Sequence, residues 1–128
     1  MKLLLDTHVA IWAVAQLNLL PEGVKSALTE NPDDVFVSAV TILEISIKHQ
    51  LDKHDSPPFS GTAALEYFDG VGFQFLPVMP EHAAAVDRLP LHHRDPFDRL
   101  LIAQAAHEPM YLVSRDPLVK LYDCPQLP

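Results

Sequence analysis

The stretch that decides the fold is Lys2-Leu3-Leu4-Leu5-Asp6-Thr7, a short apolar run that ends in a carboxylate. A continuous apolar run of this length is typical of a strand buried on both faces, as in the middle of a parallel sheet. Apolar residues then recur at helical spacing from Val9 to Leu20, which predicts a helix with Thr7 as its N-cap. A buried strand that leads into a helix is the opening unit of an α/β domain.

The same order of strand and helix recurs along the chain. Val35-Phe36-Val37 predicts a second strand, and Ser38 can cap a helix over residues 39–50, although the β-branched residues of that run also allow a strand. Further strands are predicted at 73–78 and 110–113, and further helices at 21–29, 62–68, 80–89, 96–106 and just after 117. This alternation predicts right-handed crossovers and a parallel sheet covered on both faces. Residues 1–128 are expected to form a single domain.

Composition narrows the class of protein. Hydrophobic residues make up 48% and charged residues 20% of the chain, which is typical of a globular protein. The net charge of −8 argues against broad non-specific binding of nucleic acid, but it is compatible with a substrate channel that carries local arginines. A bound divalent ion would offset part of that charge.

The chain is expected to be cytoplasmic and to have no membrane partner. Asp6 interrupts the N-terminal apolar run too early for a signal peptide, and no stretch approaches the roughly 20 apolar residues of a membrane span. The lone Cys124 cannot form an intramolecular disulfide, which fits a reducing compartment.

Four acidic residues follow predicted strands directly or lie in the helices after them: Asp6, Glu44, Asp98 and Asp116. The carboxyl ends of parallel strands meet at one edge of a sheet, where α/β proteins bind ligands. Carboxylate oxygens are the ligands that Mg²⁺ and Mn²⁺ prefer, and a carboxylate site of this kind indicates metal-assisted cleavage of phosphate esters.

Each acid also has a structural explanation. Asp6 can cap the helix that follows it, and Glu44 can pair with Lys48 on a helix surface. Asp95-Pro96-Phe97-Asp98 and Asp116-Pro117 both have the composition of a helix start, where acids cap free N–H groups and interact favourably with the helix dipole. Four separate structural roles at equivalent strand-to-helix positions are a less favoured interpretation than one shared site.

Other chemistries have weaker support in the sequence. His92 and His93 are adjacent, which is a poor arrangement for binding one zinc ion, and no Cys or His pair has zinc-site spacing. The serines lack the Gly-x-Ser-x-Gly motif of a nucleophile elbow, and four glycines are too few to suggest a glycine-rich phosphate loop.

Four segments contain the four acids: Leu4-Leu5-Asp6-Thr7-His8, Val37-Ser38-Ala39 leading to Glu44-Ile45-Ser46-Ile47-Lys48, residues 89–105, and Leu112-Val113-Ser114-Arg115-Asp116. The third reads LPLHHRDPFDRLLIAQA. These segments resemble the acidic motifs of PIN-domain proteins, and in particular of VapC-type toxins, the ribonuclease half of VapBC toxin–antitoxin pairs, and the third is the most specific. The chain departs from many relatives at Leu43, where they carry Trp, and at Ser114, where they often carry Thr.

The resemblance implies a three-layer α/β/α sandwich around a parallel sheet of four to five strands. It also implies an endoribonuclease that uses one or two Mg²⁺ or Mn²⁺ ions and a metal-activated water, and that acts as the toxin of a type II toxin–antitoxin system. By position, the catalytic and metal-binding residues are Asp6, Glu44, Asp98 and Asp116, whereas Asp95 is interpreted mainly as a cap.

The resemblance also implies partners. An RNA substrate, a VapB-like antitoxin that inserts a segment into the acidic cleft, and a second copy of the chain in a homodimer are expected. Residues near the acids that could contact the substrate are Arg94, Arg99, Ser114 and Arg115. The alternatives are a structure-specific DNA nuclease and a non-catalytic binding module in which all four acids are caps.

Overall fold

A computed structural model describes residues 1–127 and contains one parallel sheet. Its strands are β1 (Leu3–Leu5), β2 (Val35–Ser38), β3 (Gln74–Leu76) and β4 (Tyr111–Val113). The order is β3-β2-β1-β4, so the N-terminal strand lies inside the sheet. Leu5 is in register with Val37 on one side and Val113 on the other. The carboxyl ends of β1, β2 and β4 therefore lie side by side.

The helices follow the strands as expected, and within residues 1–127 four short 3-10 turns lie between these elements or after β4. The α-helices are α1 (Thr7–Ala15), α2 (Glu22–Glu30), α3 (Ala39–Leu51), α4 (Gly61–Gly70), α5 (Pro80–Ala85) and α6 (Pro96–His107). The 3-10 turns are Leu17–Leu19, Pro32–Asp34, Val86–Arg88 and Val119–Leu121. The predicted caps Ser38 and Asp95 each accept a backbone N–H at the start of their helix, and Ser60 does the same for α4.

The core has two parts because successive residues of β1 point to opposite faces of the sheet. Leu3 and Leu5 pack in one cluster with apolar residues of α1, α2 and α4, whereas Leu4 packs in the other with residues of α6. The apolar run that opens the sequence is thus buried on both faces. The predicted three-layer α/β/α sandwich is confirmed, with four strands.

The first helix differs from its prediction at both ends. Its N-cap is Asp6 rather than Thr7, because a carboxylate oxygen of Asp6 accepts the N–H of Val9 at 2.9 Å. The hydroxyl of Thr7 points inward instead. The helix ends at Ala15 because the backbone leaves the helical region at Gln16 (φ −148°), and Leu17 is exposed rather than part of a buried helical face.

The helix predicted at 80–89 ends at Ala85 and continues only as a 3-10 turn to Arg88, and the helix predicted after Pro117 is the 3-10 turn Val119–Leu121. Beyond it, the C-terminal segment lies along the outer edge of β4. The Leu112 N–H donates to the Pro125 carbonyl at 2.8 Å, and the Leu127 N–H donates to the Leu112 carbonyl at 3.0 Å. This short pairing covers backbone groups that would otherwise form an open sheet edge.

Within residues 1–127, no helix has the length and apolar character needed to cross a membrane.

Candidate metal centre

Asp6 is the buried anchor of the site. It directly follows β1, its own N–H donates to the Val113 carbonyl at 3.0 Å, and only 4% of the residue is exposed. One carboxylate oxygen caps α1, and the other accepts a short hydrogen bond from the hydroxyl of Ser114. Burial raises the pKa of Asp6, and the hydrogen bonds from Ser114 and Val9 oppose that effect without cancelling it. The carboxylate is therefore held in one orientation at the end of the central strand.

Ser114 links Asp6 to the fourth acid. Its hydroxyl donates to Asp6 and accepts the backbone N–H of Asp116 at 3.1 Å. One carboxylate oxygen of Asp116 in turn accepts the Leu118 N–H at 2.9 Å, so the predicted capping role is present. The Ser114 hydroxyl, predicted as a substrate contact, thus orders two of the acids through one donated and one accepted hydrogen bond.

Asp98 lies in the first turn of α6. Asp95, the N-cap, accepts the N–H groups of Phe97 and Asp98 at 2.9 and 3.2 Å, so the two acids of this motif have different environments. The Asp98 side chain is 19% exposed. Burial raises its pKa to about 7, with further contributions from the negative charges of Asp95, Asp6, Glu44 and Asp116. Removal of a carboxylate from water and repulsion by nearby carboxylates both favour the protonated form.

Glu44 lies on α3 and is buried, with 3% of the residue exposed. The hydroxyl of Thr7 donates to one carboxylate oxygen at 2.6 Å, and the ammonium of Lys48 lies 2.5 Å from the other. The ion pair considered from sequence thus exists, but not on a surface. Burial lowers the pKa of Lys48, but the hydrogen bond and charge of Glu44, with the charges of Asp95 and Asp98, raise it overall.

The four acids do not meet equally closely. Asp98 and Asp116 offer oxygens within 4.8 Å of each other, in a group that also includes a nitrogen of His93. Asp6 is joined to Asp116 through Ser114, and its charge affects the pKa of Asp98. Glu44 also acts on Asp98 electrostatically, but its own oxygens have protein partners. Crowded carboxylates with raised pKa values are a suitable environment for a divalent cation, and an all-carboxylate donor set suits Mg²⁺ or Mn²⁺.

The three candidate arginines have different positions. Arg94 and Arg115 have exposed side chains on the loops before α6 and after β4. Arg99 is buried, and its guanidinium donates to the carbonyls of Pro90 and Val86 and to the hydroxyl of Tyr122, at 2.8, 3.2 and 3.2 Å. It holds the loop before α6 against that helix, so the expectation that it contacts substrate phosphate does not fit the structure.

Three polar residues of the site were missed by the sequence reasoning. Thr7 was interpreted as a cap, yet it orients Glu44. His93 and Tyr122 form a hydrogen-bonded pair beside Asp98. The His92-His93 doublet in the third motif was the available signal for His93, whereas Tyr122 lies outside all four motifs and had none.

A cleft of about 580 Å³ adjoins the acids on the Glu44 side. It is lined by α1, α3 and the loop after α3, with Trp12 and Ile11 on one wall and Lys48 and Lys53 among its polar groups. The lining also includes Glu44 and Asp55, so the cleft has apolar walls and charges of both signs, which suits an extended ligand.

Solved structures similar to this one include toxin–antitoxin complexes. VapBC2 from Rickettsia felis, bound to a DNA fragment from its promoter, matches with a TM-score of 0.72 at 15% identity, covering 100% of this chain and 98% of the other. DNA-bound VapBC from Salmonella typhimurium matches with a TM-score of 0.72 at 16% identity, covering 100% and 97%. FitAcB from Neisseria gonorrhoeae matches with a TM-score of 0.59 at 18% identity, covering 94% and 91%. At these identities the likeness establishes the fold.

No curated protein sequence matches the chain. The sequence pattern of the PIN domain family, however, matches residues 3–123, which is nearly the whole chain and includes all four acids. PIN domains are typically metal-dependent nucleases. The protein belongs to the PIN domain family.

Proposed function

We propose that this protein is a Mg²⁺- or Mn²⁺-dependent endoribonuclease and the toxin of a type II toxin–antitoxin pair, acting in the cytoplasm. The observation that carries the proposal is the convergence of Asp6, Asp98 and Asp116 at the carboxyl edge of the sheet, where the pKa of Asp98 is raised to about 7. Family membership supports nuclease chemistry, and the close match to the third VapC motif supports RNA as the substrate class.

In this proposal, Asp6, Asp98 and Asp116 hold one or two ions, and Glu44 completes the acidic set. When bound, the ion supplies activation of water and neutralisation of charge on the phosphate. The chain orients its own ligands: Ser114 fixes Asp6, and Thr7 and Lys48 fix Glu44. The exposed Arg94 and Arg115 would contact phosphates beside the cleavage site.

A cognate antitoxin is the proposed protein partner. The similar VapBC structures support a partner of this kind, and the cleft of about 580 Å³ beside Glu44 offers room for an inserted segment. The net charge of −8 would favour a basic segment through electrostatic attraction. A homodimer is proposed on the family resemblance alone.

The decisive experiment is cleavage of RNA and DNA oligonucleotides of matched sequence by the purified protein, by Asp6→Asn and by Asp69→Asn. Asn is as good an N-cap as Asp, so Asp6→Asn should keep α1 while removing a metal-binding charge. We expect RNA cleavage to fall about 100-fold or more, because the lost metal interaction supplies several kcal/mol. Asp69 is exposed on α4 and serves as the matched control.

The outcomes separate the alternatives. Cleavage of DNA in preference to RNA would indicate a DNA nuclease, and no metal-dependent cleavage of either would indicate a non-catalytic module. Equal RNA cleavage by the wild type and Asp6→Asn would refute the assigned site.

A further inference from the structure

His93 has a buried ring nitrogen that faces the acids. Its side chain is 7% exposed, and Nε2 lies 3.6 Å from a carboxylate oxygen of Asp98. A ring nitrogen of His93 is also within 4.8 Å of a ligand oxygen of Asp116. In the part of the chain that the structure describes, this nitrogen has no hydrogen-bond partner. Buried polar atoms of this kind are uncommon, and each one calls for an explanation.

Tyr122 determines which nitrogen of His93 carries the proton. The Tyr122 oxygen accepts N–H groups from the Arg99 guanidinium at 3.2 Å and from the backbone of His93 at 3.3 Å. Its own hydroxyl proton is then directed at Nδ1 of His93, which lies 2.9 Å away. Since Nδ1 accepts, the neutral ring carries its proton on Nε2. The nitrogen that faces the acids is therefore a donor.

His82 is a second histidine with this tautomer, and both of its ring nitrogens have hydrogen-bond partners. Nδ1 of the buried His82 accepts the backbone N–H of Met79 at 2.9 Å, so its Nε2 carries the proton and donates to Glu108 at 2.7 Å. This bonding also leaves His82 no lone pair for a metal, although His82, His107 and Glu108 lie close together. His93 has the same tautomer, but its donor is directed into the acidic site at a distance too long for a hydrogen bond.

We propose that His93 is a substrate-binding catalytic residue whose Nε2–H donates to a non-bridging oxygen of the scissile phosphate. The proposal rests on the nuclease function proposed above. An N–H donor stabilises an anionic phosphate, and a buried, oriented donor is more effective than an exposed one. Arg99 and Tyr122 act as positioning residues, because they fix the ring and its tautomer.

Two substitutions of His93 separate the donor from the rest of the ring. Asn places its amide near the position of Nδ1, so His93→Asn can keep the contact with Tyr122 but loses the donor that faces the acids. Gln places its amide near the position of Nε2, so His93→Gln keeps a donor there. His92 is the matched control because it is adjacent and exposed, and it packs edge-on against the same tyrosine.

The test is RNA cleavage at saturating Mn²⁺, together with Mn²⁺ affinity measured by calorimetry. We expect kcat to fall roughly 10- to 100-fold in His93→Asn, the range for one hydrogen bond to a charged group, and to recover in part in His93→Gln. His92→Asn should cleave like the wild type. Mn²⁺ affinity should stay within about twofold in all three variants, because the donor does not bind the ion. In ¹⁵N-histidine-labelled wild type with Mg²⁺, NMR should show the proton on Nε2 and a shift of that signal when an RNA oligonucleotide is added.

Each contrary result has a distinct meaning. A tenfold loss of Mn²⁺ affinity in His93→Asn, or an unprotonated Nε2 in the NMR spectrum, would overturn the proposal in favour of His93 as a metal ligand. Wild-type rates in His93→Asn would refute any catalytic role. Failure of the wild type itself to cleave RNA would instead refute the proposed function, and this inference with it.

Discussion

At the scale of single residues, Asp98 is a carboxylate whose ionisation is strongly affected by its surroundings. Burial and four surrounding acids raise its pKa to about 7 from an ordinary value of 3.8. Below pH 3.8 the side chain is protonated in both folded and unfolded chains. As the pH rises from there, the unfolded chain loses this proton first, so the folded state becomes progressively less favoured until the pH passes about 7.

Asp98→Asn should therefore stabilise the metal-free protein at neutral pH. The gain in free energy of unfolding should be small near pH 4, increase up to about pH 7 and level off above it. Discounted for solvent screening, its size at pH 8 is about 1–2 kcal/mol. Urea unfolding with a chelator across this pH range is the measurement, with Asp69→Asn as the control. A gain that decreases with rising pH would contradict the assigned cause.

The role of a residue was predictable from sequence where its contacts are with neighbouring residues in the chain. The capping role of Asp95 was correctly predicted, because Asp-Pro at a helix start defines the N-cap without tertiary information. Arg99 was misjudged because its flanking position in the motif suggests substrate contact. Its burial depends on carbonyls of a loop that only the folded chain brings to it. Thr7 was misjudged for a similar reason, since its partner Glu44 lies 37 residues away.

At the scale of elements, α3 and α4 are in close contact at Gly61. A Cβ atom added there would lie 1.8 Å from the hydroxyl oxygen and 3.1 Å from the Cβ atom of Ser46. The Ser46 hydroxyl is itself engaged, because it donates to the Ile42 carbonyl at 2.9 Å. Glycine is thus required here by space between helices.

Gly61→Ala should lower the free energy of unfolding by about 1–3 kcal/mol, the usual cost of overpacking. Ser46→Ala in the same chain should restore part of this loss, because it removes the oxygen that the new methyl group meets. A double-mutant cycle in urea measures the coupling, which should be about 0.5 kcal/mol or more. Strictly additive effects would show that the contact does not limit the approach of the helices.

Element types were predictable from sequence, but element ends were less so. Apolar runs identified the four strands of the described residues, and Ser38 favoured a helix over a strand for α3, whereas the helix predicted after β4 is only the 3-10 turn Val119–Leu121. The end of α1 was not predictable, because Leu17 and Leu20 both fit the helical spacing of apolar residues. In the folded chain α1 ends at Ala15, and only Leu20 of the two is buried.

At the scale of the whole molecule, the chain has a net charge of −8, and several of its negative charges lie together at the edge of the sheet that carries Asp6, Asp98 and Asp116. A divalent ion that binds only the folded chain should stabilise it by mass action, by about 2.7 kcal/mol at a concentration 100 times Kd. For a chain of this size we expect Mn²⁺ to raise Tm by about 10 °C, and less than half of that shift in Asp98→Asn.

Scanning calorimetry of the wild type and Asp98→Asn measures the shift in Tm with Mn²⁺. NaCl of equal ionic strength is the control, because screening of charge by salt should change Tm similarly in the two proteins. An equal Mn²⁺ shift in the wild type and Asp98→Asn would remove Asp98 from the metal site.

The position of β4 beside β1 has a consequence for the timing of activity during synthesis. Asp6 emerges from the ribosome first, but Ser114, which orients it, follows 108 residues later, after the strand that is last in sequence among the four of the sheet. Pairing of such distant segments is a slow step in folding. A nascent chain of the proposed toxin would therefore have no assembled site until β4 and Ser114 have been synthesised, so until then the messenger RNA being translated and the ribosome are not exposed to the nuclease.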